Sequence, residues 1–94
     1  MINLKLVPTK NLRFVRFVAG VSLNFYSAAV YEAGNCGKAY IVLEKGFRQI
    51  PRMNKVFKDL SALEIWLETL PGKGVNKLNS VLKAVSKEAG PDYD

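Results

Sequence analysis

Tyr31-Glu32-Ala33-Gly34-Asn35-Cys36-Gly37-Lys38-Ala39-Tyr40-Ile41-Val42-Leu43 is the stretch on which the reading of this chain turns. Gly34, Asn35 and Gly37 tolerate positive φ, so they mark a tight turn. The run of β-branched and aromatic residues after it reads as a strand, and the segment before it as an antiparallel neighbour. Working back towards the N-terminus, Val21, Leu23, Phe25, Ala29 and Tyr31 recur at even spacing, with Asn24 and Tyr26 on the other face. Gly20 offers a turn, and residues 12–19 form the partner strand of a hairpin. Residues 2–7 alternate Ile2, Leu4 and Leu6 against Asn3 and Lys5, the period of a half-buried strand that Pro8 stops.

Towards the C-terminus, Gly46 and Pro51 interrupt the pattern before a short strand around residues 53–57, and then the period changes. Ser61-Ala62-Leu63-Glu64 has the spacing of a capping box at a helix start. Leu63, Trp66, Leu67 and Leu70 make one apolar stripe, ended by Pro71-Gly72-Lys73-Gly74. Val75, Leu78, Val81, Leu82 and Val85 form the inner face of a second helix over residues 75–89. Gly90-Pro91 ends it. The fold class is therefore α+β: an antiparallel sheet of four to five strands followed by two C-terminal helices packed on one face. One domain is expected over residues 1–94, with a sheet-forming half (1–58), a helical half (59–90) and a frayed tail (91–94).

Composition narrows the chemistry. The chain has no histidine and one cysteine, Cys36. The commonest general base near neutral pH is missing, and a lone thiol cannot complete a zinc site or an internal disulfide. The expectation is a protein that is not an enzyme and holds no metal or cofactor. Glu64 and Glu68, one helical turn apart, read as cap and solvated face rather than a catalytic pair. Gly72-Lys73-Gly74 lacks the glycine frame and the following Ser or Thr of a phosphate loop, so it reads as an interhelical turn. The longest apolar tract, residues 14–31, is broken by Arg16, Ser22 and Asn24 and alternates like a strand. Membrane insertion and export are not expected, and a reducing cytoplasm is.

Charge is distributed unequally. Residues 1–58 carry ten Lys and Arg against Glu32 and Glu44, whereas residues 59–94 carry four lysines against six acids. Residues 45–58 hold five cations, Lys45, Arg48, Arg52, Lys55 and Lys58, with no acid among them. Such a segment suits the phosphates of a nucleic-acid backbone, with Phe47 placed to stack on a base. The plainer reading makes these cations a solvated surface, and Phe47 and Phe57 core anchors. Arg13 and Arg16 are assigned as supporting phosphate contacts, yet alternation puts them on opposite faces unless a bulge intervenes. Tyr26, Tyr31 and Tyr40 are further stacking candidates against a default of cross-strand packing. Lys73, Lys77 and Lys83, in the helical half, are expected to matter less.

The segment from Gly37 to Leu70, strand, turn, strand and capped helix, resembles the small sheet-plus-helix DNA-binding modules of phage integrases. The order of strands before helices also resembles sheet-based single-strand binders of the transcriptional coactivator class. Both likenesses concern element order alone. The expected function is a small nucleic-acid-binding protein, single-stranded DNA or RNA favoured, held through backbone phosphates. A homodimer is expected from apolar strand residues in so short a chain. The alternative is an interaction or regulatory module that binds an acidic protein partner through the sheet edge or basic surface.

Overall fold

The computed structural model describes residues 7–20 and 23–89, with side-chain surroundings through residue 87. The expected strand over residues 2–7 and the terminal Gly90-Pro91 tail lie outside the described residues, apart from Val7. Five strands follow one another as β1 (Arg13–Phe17), β2 (Tyr26–Glu32), β3 (Ala39–Lys45), β4 (Arg48–Gln49) and β5 (Lys55–Phe57). Two helices close the chain, α1 (Leu60–Thr69) and α2 (Val75–Ala89). The α+β class and the order of strands before helices are as the sequence predicts. None of the described helices is long and apolar enough to cross a membrane.

All pairings among the described residues are antiparallel. β1 pairs with β2 and β2 with β3, while β4 and β5 share the far edge of β3. A 3₁₀ turn, Pro51–Met53, separates β4 from β5. Asn54 bridges that break: its Oδ1 accepts from the Leu43 backbone N–H at 2.9 Å, and its Nδ2 donates to Gln49 Oε1 at 3.0 Å. Gln49 in turn donates to the Val7 carbonyl at 2.7 Å and accepts from the Val7 N–H at 3.0 Å. Met53, expected in a strand, sits buried in the 3₁₀ turn because Pro51 cannot donate to the ladder.

Alternation along β2 and β3 makes the core. Ala28, Val30, Ala39, Ile41 and Leu43 project to one side and meet Leu63 and Leu67 of α1 and Leu78, Val81 and Val85 of α2. Burying each Leu, Ile or Val there contributes on the order of 1.5–3 kcal/mol. Trp66 is half-buried, its ring 5.5 Å from that of Phe57. Val75, expected on the inner face, is 41% exposed at the first turn of α2.

The helices are closed by side chains. The predicted Ser61 box is not the cap of α1: Asp59 is, its Oδ1 accepting from the Ala62 N–H at 2.8 Å. Glu64 is thereby released to another partner. At the other end of α1, Lys77 of α2 donates to the Leu67 carbonyl at 2.6 Å and to that of Leu70, and Ser80 donates to the Pro71 carbonyl. Gly72, at φ 94°, lies where an added Cβ would come within 2.8 Å of Asn76 Cβ.

Asp59→Ala is expected to cost about 1 kcal/mol, and Ser61→Ala far less. Denaturant midpoints of the two variants check the assignment, and the reverse order would restore Ser61 as the cap.

Candidate functional site

Two tight turns meet at one end of the sheet. Leu23 and Tyr26 exchange backbone hydrogen bonds of 3.0 and 2.9 Å around Asn24 and Phe25, whose φ values are 52° and 68°. Lys45 pairs with Arg48 around Gly46 and Phe47, with φ of 58° and 70°. Positive φ at both central residues defines the type I′ hairpin turn, whose twist matches that of the strands it joins. The tips are tied together where the Gly46 N–H donates to the Phe25 carbonyl at 3.0 Å. Phe25 was expected to continue the β2 alternation, but the chain reverses there and the strand begins at Tyr26.

Asn and Gly accept this backbone conformation, whereas phenylalanine does so at a cost of roughly 1–2 kcal/mol. Burial of the rings does not offset it, since Phe25 is 80% and Phe47 98% exposed. The reading of Phe47 as a core anchor is thus ruled out, while Phe57 does pack against the core. Strain held in place by its surroundings, with no packing gain from the ring, makes these tips the candidate site.

Between the tips lies a hollow of about 390 Å³ lined by Phe17, Gly20, Phe25, Ser27, Glu44, Gly46 and Phe47. Ser27 and Glu44 are register partners on the face turned away from the helices. That face continues as a cross-strand row, Phe14, Tyr31, Tyr40 and Val56. Phe14 stands edge-to-face with Phe17 at 5.1 Å and with Tyr31 at 5.7 Å. Tyr31 and Tyr40 therefore join an aromatic surface, and Tyr26 lies on the opposite face.

Cations gather on that opposite face of the same end. Lys45 and Arg48 are exposed, and Lys45 Nζ stands 5.0 Å from the Tyr26 ring centroid. Tyr26 also lines a second hollow, of about 350 Å³, with Met53, Leu82, Lys83 and Ser86. Lys83 of the acidic helical half is thus a neighbour of the basic hairpin, which charge counting by segment missed. Lys58 is exposed just before α1, but it follows Phe57 opposite Ala39 and so lies at the other end of β3 from Lys45; Arg52 is half-buried in the 3₁₀ turn. Lys55 is half-buried, its Nζ 5.3 Å from the Phe57 ring and 5.4 Å from the Trp66 ring.

Arg13 and Arg16 are engaged within the fold. A register shift between Phe14 and Arg16 puts an extra residue into β1, so Arg13 opposite Glu32 and Arg16 opposite Val30 share the helix-side face. There Arg13 forms an ion pair with Glu32, and Arg16 one with Glu64. Cys36 is an exposed free thiol in the β2–β3 turn, and no three metal-ligating side chains cluster among the described residues. Besides Lys83, Phe25 is a residue of the candidate site that sequence reasoning missed. Its signal was the repeated order of a residue tolerant of positive φ followed by phenylalanine, Asn24-Phe25 and Gly46-Phe47.

Comparison with protein-family models and with curated proteins finds no match to this chain.

Replacing Phe47 by glycine is expected to raise stability by about 1 kcal/mol, because the left-handed conformation then costs nothing. Thermal denaturation decides it. A lower midpoint would mean that the ring contributes to folding despite its exposure.

Proposed function

We propose that the chain binds single-stranded nucleic acid at the turn end of its sheet, with Lys45, Arg48 and Lys83 holding phosphates and Phe25 and Phe47 stacking on bases. The observation that carries this reading is the pair of adjoining type I′ turns, each presenting an exposed phenylalanine in a strained backbone beside the Lys45–Arg48 pair. Exposed rings next to cations are what a flexible strand needs, since every base has a face to stack and every phosphate a charge to neutralise. The row of Phe14, Tyr31 and Tyr40 extends the stacking surface across the sheet. A single strand fits it better than a duplex, whose bases already stack on one another.

Lys58 is exposed but follows Phe57, which pairs with Ala39 at the other end of β3 from Lys45, so it lies apart from the turn end, and Arg52 and Lys55 are half-buried. Arg13 and Arg16 contribute less, their charges being met by Glu32 and Glu64. The site is built from one chain, so the proposal does not call on a second copy. We place the protein in the cytoplasm, where the exposed Cys36 thiol stays reduced.

Neutralising Lys45, Arg48 and Lys83 together is expected to weaken binding to a mixed-sequence oligonucleotide and flatten its salt dependence by about two units of slope. Phe25→Ala with Phe47→Ala should lower affinity by about 1–3 kcal/mol per base unstacked and leave the slope unchanged. Lys73→Ala is the control, because Lys73 is exposed in the interhelical turn. Fluorescence anisotropy across a salt series reads both, with circular dichroism reporting the fold. No binding by the wild-type protein, or equal losses from the Lys73 control, would remove the proposal. Capture of a protein partner that survives nuclease treatment, without oligonucleotide binding, would put the acidic-protein reading in its place.

A further inference from the structure

The hollow between the two tips differs from the cationic surface beside it. Phe17, Phe25 and Phe47 line it, and among the described residues no lysine or arginine does. Among the described lining residues the charged one is Glu44, itself half-buried, with Ser27 across the strand pair. A phosphate is repelled by such a lining, whereas a flat aromatic group with N–H donors is welcomed by it.

We propose that this hollow is a base-reading pocket selective for guanine, an inference that rests on the single-strand reading above and gives it a preferred base. An ionised carboxylate only accepts hydrogen bonds, through two oxygens side by side. Among the nucleobases, guanine alone presents two adjacent donors on one edge, N1–H and the N2 amino group, matching that fork. Cytosine and adenine present one amino donor beside ring acceptors, and thymine and uracil one N–H between two carbonyls. Stacking against the phenylalanines supplies affinity that is indifferent to base identity, and Glu44 supplies the choice.

The placement of the phosphates agrees with this. Glu44 and Lys45 are consecutive on β3, so their side chains leave opposite faces of the sheet. A strand wrapped over the turn tips keeps its phosphates near Lys45 and Arg48 while one base turns over the edge towards Glu44. Gly46, the residue after Lys45, lines the hollow without a side chain to fill it.

The test uses oligonucleotides of about ten nucleotides, all thymine except for one central dG, dI, dA or dC, with affinities read by fluorescence anisotropy at one salt concentration. The dG strand is expected to bind about tenfold more tightly than the all-thymine strand. The dI strand, which lacks the 2-amino group, should lose most of that gain. Glu44→Gln should abolish the guanine preference while affinity for the all-thymine strand holds or rises, and Glu68→Gln, on the exposed side of α1, should keep it. Equal binding of all strands by the wild-type protein, or a preference that survives Glu44→Gln in a protein folded by circular dichroism, overturns the guanine assignment and leaves single-strand binding standing. Binding of tetramethylammonium in the hollow with no preference for guanine overturns it in favour of an organic cation. No binding of any strand removes the broader reading itself.

Discussion

The cross-strand contact of Val30 with Ile41, both fully buried beneath the helices, sets everything else in place. Strand side chains alternate with a period of two, so fixing that pair on the helix side fixes every other residue of β2 and β3. Ala28 and Leu43 follow them inward, Ser27 and Glu44 turn away, and Tyr26 and Lys45 return to the helix side at the turn end. A slip of one residue would bury Glu44 and expose Leu43, which the core does not permit. The separation of a carboxylate-lined hollow from a cationic edge is therefore a consequence of core packing two residues away.

Core and element order were legible in the sequence because they follow from periodicity, which is a local property. The change from a period of two to one of 3.6 near residue 60 separates sheet from helices, and the Gly34–Gly37 turn pins the central hairpin. What escaped was contingent on three-dimensional neighbours. Asp59 and Ser61 both carry oxygens suited to capping, and the choice between them depends on where β5 delivers the chain to α1. Asn24-Phe25 lacks the glycine that usually announces a type I′ turn, so the alternation of its neighbours concealed the reversal. Of the proposed site, Lys45, Phe47 and Arg48 fall in the basic segment that the sequence singles out, whereas Phe25 and Lys83 come from segments with no basic signature of their own.

Net charge also reads differently once the neighbours are known. The bulge in β1 converts two arginines that alternation would separate into a pair on one face, and each meets a carboxylate from a different element. Arg16 reaches Glu64 of α1 and so ties the edge strand to the helical layer. Both pairs are partly exposed, so each is worth little in stability. Their effect is to quieten the β1 edge, whereas Lys45, Arg48 and Lys83 stand exposed at the turn end.

A fold of this size has little stability to spare, which gives the two strained phenylalanines their weight. Left-handed backbone at both Phe25 and Phe47 costs roughly 2–4 kcal/mol together, and glycine or asparagine would remove most of it. The same turns keep the rings clear of the core and hold them across a hollow whose floor is the opposite pleat of the sheet. A smaller residue would relax the backbone and lose the wall, so on the proposed reading stability and recognition pull against each other at these two positions. On the proposed reading, backbone fixed in advance by a two-residue turn has little conformational freedom left to lose on binding, and that is the gain such strain would bring to a ligand site.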